Sequence, residues 1–349
     1  MKSEIFIKKQ NRLLDVRATA AQIARVQRDS GEIPWCPDQK TDPWDHVEAA
    51  MGLSIGGYLD EARRAYIWMK RTQNPDGSWY SAYRHGNVAD RTRDANMSAY
   101  IAVGAYHYYM MTEDRDFLQR LWPSVQRALE FSLNLQSPHG EIYWAISPRG
   151  RVDRMALLTG SSSICLSLRC GLAIAARLGH QRPRWTAGLQ RLENAIRNKP
   201  YRFNVTKSRY AMDWYYPILG GILVGSDARK RIGRNWKRFV VEGQGVRCVF
   251  DAPWVTTAET SELCLSLTAM GRRTHAEIVF NWIRDKKYAD GSYWAGFTCP
   301  DMTVWPEDKL TWTDAVVLLA ADALYELTPA HCLFQHDFWR SHGLLTGER

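Results

Sequence analysis

Ser161-Ser-Ser-Ile-Cys-Leu-Ser-Leu-Arg-Cys-Gly-Leu-Ala-Ile-Ala-Ala176 is small or apolar at nearly every position and runs into the short turn Gly179-His-Gln-Arg-Pro183. A helix that is apolar around its whole circumference belongs inside a protein. The segment after the turn, 183–198, carries Arg, Gln and Glu on one face and reads as an amphipathic, outward-facing partner. One buried helix hairpinned to one surface helix is the unit that the rest of the chain repeats.

Working outward from that hairpin, helical periodicity predicts twelve helices, over 11–29, 43–55, 59–73, 94–111, 113–136, 156–178, 183–198, 210–224, 227–239, 253–270, 272–286 and 309–327. The even-numbered ones are small and apolar, as in Ala49-Ala-Met-Gly-Leu-Ser-Ile-Gly-Gly57; the odd-numbered ones carry the charge. Turns within a pair are short, whereas the connections between pairs, 30–42, 74–93, 137–155, 199–209, 240–252 and 287–308, are long and rich in Trp, Tyr and Asp. Six hairpins with every long loop at one end describe an all-α fold, an (α/α)6 barrel with little β structure. An open solenoid of the same hairpins is the competing arrangement. The count of six and the absence of a strict repeat period favour closure. No linker divides the chain, so a single domain over 1–349 is expected, with 1–10 and 330–349 as peripheral termini.

Of the 349 residues 45% are hydrophobic and 24% charged, enough for a full core and against extensive disorder. The net charge of +9 is scattered over the outer helices, densest at Arg229-Lys-Arg-Ile-Gly-Arg-Asn-Trp-Lys-Arg238, so nucleic-acid binding is a weak reading. The seven cysteines show no C-x-x-C spacing and no His-rich companion, which points to a reducing, cytoplasmic setting with neither metal nor other cofactor. The N-terminus lacks a sustained apolar run, and no stretch approaches 18 uninterrupted apolar residues, so neither a signal peptide nor a membrane span is expected.

In a closed barrel the six long loops converge on the N-terminal ends of the inner helices, where unpaired N–H groups favour hydroxyl-rich or anionic ligands. The first loop brings Trp35, Asp42, Trp44, His46 and Glu48; the second Asp94 and Asn96; the third Trp144 and Asp153. The fourth entrance brings Asp213, Trp214, Tyr215 and Tyr216, the fifth Arg247, Trp254 and Glu259. The sixth, Val304-Trp-Pro-Glu-Asp-Lys-Leu-Thr-Trp-Thr-Asp-Ala315, places Glu307 and Asp308 between Trp305 and Trp312, after Tyr293 and Trp294. Sugar rings stack on aromatic faces while carboxylates move the proton, so this composition indicates a carbohydrate partner. Each residue also has a structural reading: Asp42 and Asp94 as helix caps, His46 as a satisfied core imidazole, Glu259 and Glu262 as acids at a helix N-terminus. The concentration of Trp and carboxylate at one end argues for a site.

These residues resemble the glucoamylase-type glycoside hydrolases built on (α/α)6 barrels. Trp44-Asp-His-Val-Glu48 is similar to that family's first-loop motif, Asp94-Ala-Asn96 with Thr112-Glu-Asp-Arg-Asp-Phe-Leu to its second hairpin, and Arg247 with Pro253-Trp254 to its fifth loop. Pro306-Glu-Asp-Lys-Leu-Thr-Trp-Thr313 resembles its last loop, which implies that Glu307 is the general base of an inverting hydrolysis. The family's general acid follows a Trp in the third loop, where this chain has Trp144 and Ala145. Alanine donates no proton, so the resemblance leaves Glu141, Asp153, Glu48 and Asp94 as candidates, or a glycan-binding protein that has lost hydrolysis. A second resemblance, of Gln73-Asn-Pro-Asp-Gly-Ser-Trp79 to the Q-x-x-x-G-x-W repeat of squalene and hopene cyclases and prenyltransferase-like barrels, implies isoprenoid chemistry in an apolar cavity. The acidic D-x-D-D motif of those cyclases is missing. The expectation is an inverting glycoside hydrolase acting on an oligo- or polysaccharide.

Overall fold

The computed structural model describes residues 15–345. Its inner helices are Pro43–Ile55, Ala95–Ala99 continued by Ile101–Thr112, Leu158–Leu178, Ala211–Leu219, Thr257–Ala269 and Thr311–Tyr325. Each packs on the next, and the last packs on the first, so the ring is closed. Small residues make the seam: a Cβ on Gly52 would stand 2.9 Å from the Cα of Ala315, and one on Gly104 would lie 2.5 Å from Val47 Cγ1. Outside run Val16–Val26, Leu59–Thr72, Arg115–Asn134, Pro183–Asn198, Gly225–Phe239 and Arg273–Ile283.

Two of the expected helices, 43–55 and 183–198, match to the residue, each opened by a proline at its first position, where the missing N–H costs nothing. Others are shorter than the sequence suggests. The helix expected over 210–224 ends at Leu219 before Gly220 and Gly221, and the one expected from 253 starts at Thr257, because Trp254–Thr256 pairs as a strand. The span 94–111 divides at Tyr100. The part of the first helix before residue 15, and the terminus 1–10, lie outside the described residues. Among the described residues, short antiparallel strands in sheets of two, three and four lie in the connections between hairpins.

The Gln-x-x-x-Gly pattern that resembles the cyclase repeat has a structural use, and it occurs three times. Gln27, Gln73 and Gln136 each donate through Nε2 to the carbonyl of the glycine four residues on (Gly31, Gly77, Gly140) and to a carbonyl of the next outer helix (Glu61, Ser124, Gly188) at 2.9–3.2 Å. Their Oε1 atoms accept from Arg64, Arg127 and Arg191 at 3.1, 2.6 and 2.5 Å. The glycines have positive φ and rest on the carbonyls of those same arginines, where a Cβ would collide. The motif therefore staples one hairpin to the next.

Residues 330–345, expected to be peripheral, place Leu333, Phe334 and Trp339 in the core under the barrel, opposite the long loops. Burial of these apolar groups holds the tail in, and the fully buried Arg169 fastens it by donating to Leu344 O as well as to Gly220 O, Gly221 O and Glu193. The inner helix Leu158–Leu178 is long and apolar enough to cross a membrane, but 78% of its most apolar window is buried within the protein.

Candidate active site in the mouth of the barrel

Asp94 ends the strand Arg93–Asp94 and caps the helix Ala95–Ala99, accepting the N–H groups of Asn96 and Met97 on one oxygen, Oδ1, at 2.7 and 2.9 Å. The strand pairs with Ala145–Ile146, which pairs with Val152–Asp153, so Asp94, Ala145 and Asp153 form one row across the ladder. Residues opposed in this way present their side chains on the same face, their Cβ atoms about 4.5–5.5 Å apart. Two of the candidate acids thus flank the alanine that departs from the hydrolase pattern. They differ in setting: Asp153 is exposed and caps Met155 N, whereas Asp94 is buried, and desolvation, partly offset by the two N–H donors, pushes its carboxyl up to about 6.

Asp94 borders a cavity of about 280 Å³ shared by the loop ends of the first four inner helices. Trp44, Asn96, Trp144, Thr159 and Asp213 line it with Asp94, and Met97, Ile142, Leu157, Ile164 and Met212 form an apolar wall. Lys207 and Tyr210 stand among the lining residues. Asp213 accepts from Thr159 N at 3.2 Å and Thr159 Oγ1 at 2.6 Å, and burial raises its pKa. Two buried polar atoms of the lining, Asn96 Oδ1 and Trp144 Nε1, have no partner among the described residues. Buried polar groups are normally paired, so both are poised for a ligand.

Beneath the cavity the barrel axis is acidic. Trp44 packs against Tyr100 and Tyr216 with ring centroids 5.5 and 5.7 Å apart and donates from Nε1 to Glu48 Oε1 at 2.8 Å. Tyr100 donates to the same Oε1 at 3.1 Å, which leaves Oε2 for a proton; burial lifts Glu48 to about 7. Glu262 accepts from Tyr216 at 2.5 Å and also from Tyr215, and burial followed by the charges of Glu48 and Glu259 holds it well above the usual carboxylate range. Asp42 accepts from Trp35 Nε1 at 2.7 Å and from Asp45 N at 3.0 Å, and Asp45 is raised by burial and then by Asp42 and Glu48. Nothing in the sequence pointed to Tyr100, Thr159, Lys207 or Tyr210, nor to the apolar lining residues Met97, Leu157 and Met212.

The sixth loop lies at the rim. Trp305 is 59% exposed and meets Trp254 at 5.2 Å, the latter donating to Trp305 O at 2.7 Å. Trp35 and Trp312 approach to 6.2 Å. Glu307 and Asp308 are exposed; Glu307 O accepts from Tyr288, and Asp308 accepts from the Cys36 thiol at 3.8 Å. The last inner helix begins at Thr311 with Leu310 as its cap position, so Asp308 does not cap it.

Several expected ligand contacts are structural. His46 is fully buried, with Nδ1 accepting from Ile33 N and Nε2 bonded to Ala65 O at 3.1 Å each, and burial lowers it to about 4. Trp214 stacks on Phe239 at 5.3 Å and donates outward to Arg231 O, and Tyr293 is fully buried in the core. Trp294 packs on Phe297 at 6.2 Å. Arg247 is half-buried in a strand opposite Val255, and Glu259 is held by Thr256 and the Cys248 thiol. None of these six lines the cavity. The carboxylates Asp94 and Asp213 in its wall also remove the apolar chamber that isoprenoid chemistry required. Among the described residues no group of three or more His, Cys, Asp or Glu is arranged to hold a metal ion.

No protein-family model matches the chain. Over 319 residues it is 48% identical to a protein of Mycolicibacterium hassiacum named MMP endo-(1,4)-3-O-methyl-alpha-D-mannosidase, across 91% of this chain and 88% of that one. Solved structures share the fold at low identity. A glycosidase variant in complex with glucose superposes with a TM-score of 0.68 at 17% identity, covering 92% of this chain and 99% of its own. A sugar epimerase from a ruminal bacterium gives 0.65 at 11% identity, covering 88% and 97%, and a D-mannose isomerase gives 0.67 at 10%, covering 89% and 95%.

Proposed function

We propose that this chain, which belongs to the family of the Mycolicibacterium hassiacum endo-mannosidase, cleaves internal α-1,4 bonds of a mannose polysaccharide bearing 3-O-methyl groups, with inversion. The observation that carries the catalytic reading is the position of Asp94: buried, beside Ala145 in the ladder, and in the wall of the cavity. A general acid must keep its proton near the working pH, and desolvation of a carboxyl does that. Asp94 is raised to about 6, and its Oδ2 is left for the proton by the two N–H bonds to Oδ1. It supplies the acid that the third loop lacks.

Glu307 is the proposed base. The last-loop resemblance supports it, and so does its exposed, hydrated position, because an inverting base activates a water on the face of the sugar opposite the acid. Trp44 and Trp144 give the sugar its stacking surfaces, and Asn96 and Asp213 give it hydrogen-bond partners. Glu48 and Glu262, gripped by aromatic donors below, set the floor. The seven unpaired cysteines support a reducing, cytoplasmic setting.

The test is a sensitive reducing-end assay on α-1,4-linked, 3-O-methylated mannose oligosaccharides with wild type, Asp94→Asn and Glu307→Gln. Turnover by the wild type and loss in both variants, with ligand binding retained, is the expected result. Full activity in Glu307→Gln would move the base to Glu48. Binding without any product in the wild type would favour a glycan-binding protein.

A further inference from the structure

The cavity lining mixes two chemistries. Asp94, Asn96 and Asp213 offer hydrogen-bonding groups, whereas Met97, Leu157 and Met212 present half-buried apolar surface, with the buried Ile142 and Ile164 in the same lining. For a sugar hydroxyl the apolar part is unfavourable. A pyranose hydroxyl pressed against it loses its water and gains no partner, and an unpaired buried hydroxyl is costly. A methyl ether reverses the balance, because it has no proton to satisfy and its carbon gains by leaving water. The cavity therefore suits a methylated ligand, because its lining pairs hydrogen-bonding groups with apolar surface that a bare hydroxyl does not match.

We propose that Met97, Leu157 and Met212 form an O-methyl-accepting subsite that makes the enzyme selective for methylated over unmethylated mannosides. This inference rests on the glycoside hydrolase reading above and deepens it. Selection acts mostly by rejection, since a free hydroxyl arrives without a partner while the ether oxygen needs none. One methyl group in a hydrophobic pocket commonly gives roughly 10- to 200-fold discrimination. Thioethers suit the role, being unbranched and able to shape themselves around a small group.

The experiment compares kcat/KM for matched α-1,4-linked mannose oligosaccharides with and without 3-O-methyl groups, in wild type, Met212→Gln, Met97→Gln and the volume-conserving control Met212→Leu. Wild type and Met212→Leu are expected to prefer the methylated substrate by about tenfold or more. Glutamine nearly matches methionine in shape but offers the hydroxyl a partner. Met212→Gln is therefore expected to narrow the preference at least several-fold, chiefly by gaining on the unmethylated substrate, and Met97→Gln to narrow it in the same direction. A loss of folding cannot produce such a gain, which keeps the test specific. Equal rates on both substrates in the wild type, or an undiminished preference in both glutamine variants, would overturn the subsite while leaving the hydrolase reading intact. No hydrolysis of either substrate would overturn both.

Discussion

Asp94 and Glu307 are both carboxylates at the loop end of the barrel, yet they live in different solvents. Asp94 is enclosed, fixed by two backbone N–H groups, and raised to about 6. Glu307 stands in water on the rim beside an indole that is 59% exposed. Sequence neighbourhood favours Glu307, which sits among tryptophans in a family-like motif, and it says little for Asp94, which looks like an ordinary helix cap. The difference teaches that a cap and an acid are compatible roles: the N–H groups occupy one oxygen, and burial keeps a proton on the other. A carboxyl whose proton is held by burial is what the proposed general acid needs.

The heaviest blow to this pairing comes from removing either partner. Asp94→Asn is expected to cut kcat by about 10²–10⁴-fold, the range usual for loss of a general acid, without loss of ligand binding by calorimetry. Glu307→Gln is expected to fall by at least as much on the same substrate. Asp153→Asn, the exposed neighbour across the ladder, is expected to stay within a few-fold of wild type; an Asp153 loss equal to that of Asp94 would break the distinction between them.

Solvent should also set the pH profile. An acid at about 6 is protonated below that value, so kcat/KM should fall about tenfold per pH unit above it, and Asp94→Asn should lose that limb. Stability follows the same protons. Asp94 and Glu48 rise in the fold to about 6 and 7 from ordinary values of 3.8 and 4.5. The folded state therefore holds these protons more tightly than the unfolded chain does. Their contribution is complete below the ordinary values and is lost as pH rises through 6 and 7. Melting temperatures should decline across that window for these groups, and less steeply in Glu48→Gln.

A smaller effect probes the space itself. Gly160 lines the cavity, and a methyl there would contact Asn96 and Leu157, two other lining residues, at ordinary distances of 3.4–3.9 Å. Gly160→Ala should thus raise KM several-fold with little change in melting temperature. The smallest effect on catalysis is expected at the staples. Gln73→Ala removes bonds to Gly77, Ser124 and Arg127 and should cost about 1–3 kcal/mol of stability by denaturant titration, with kcat unchanged.

The same contrast explains what could be read from the sequence. Helices 43–55 and 183–198 were legible because proline at the first position marks a start locally, and the alternation of apolar and charged helices fixes the hairpin order. Glu48 and Asp94 were legible as candidates because loop ends converge in a closed barrel. Their burial was not, since it depends on Trp44, Tyr100 and the ladder to Ala145, groups brought together only by the ring. His46 was legible both as a ligand contact and as a satisfied core imidazole, and the sequence left the two open because its partners, Ile33 N and Ala65 O, lie 13 and 19 residues away. The cyclase-like repeat suggested chemistry because its glycine and glutamine are conspicuous, whereas Arg64, Arg127 and Arg191, which complete it, sit one outer helix further on.

The most direct test of the account is a crystal structure of Asp94→Asn with a methylated, α-1,4-linked mannose oligosaccharide bound. The account predicts a sugar ring in the cavity against Trp44 and Trp144, its scissile oxygen beside position 94, and Glu307 on the opposite face at roughly the 6.5–9.5 Å carboxyl separation of inverting enzymes. A glycan lying along Trp254 and Trp305 on the rim, with the cavity bare of sugar, would contradict it.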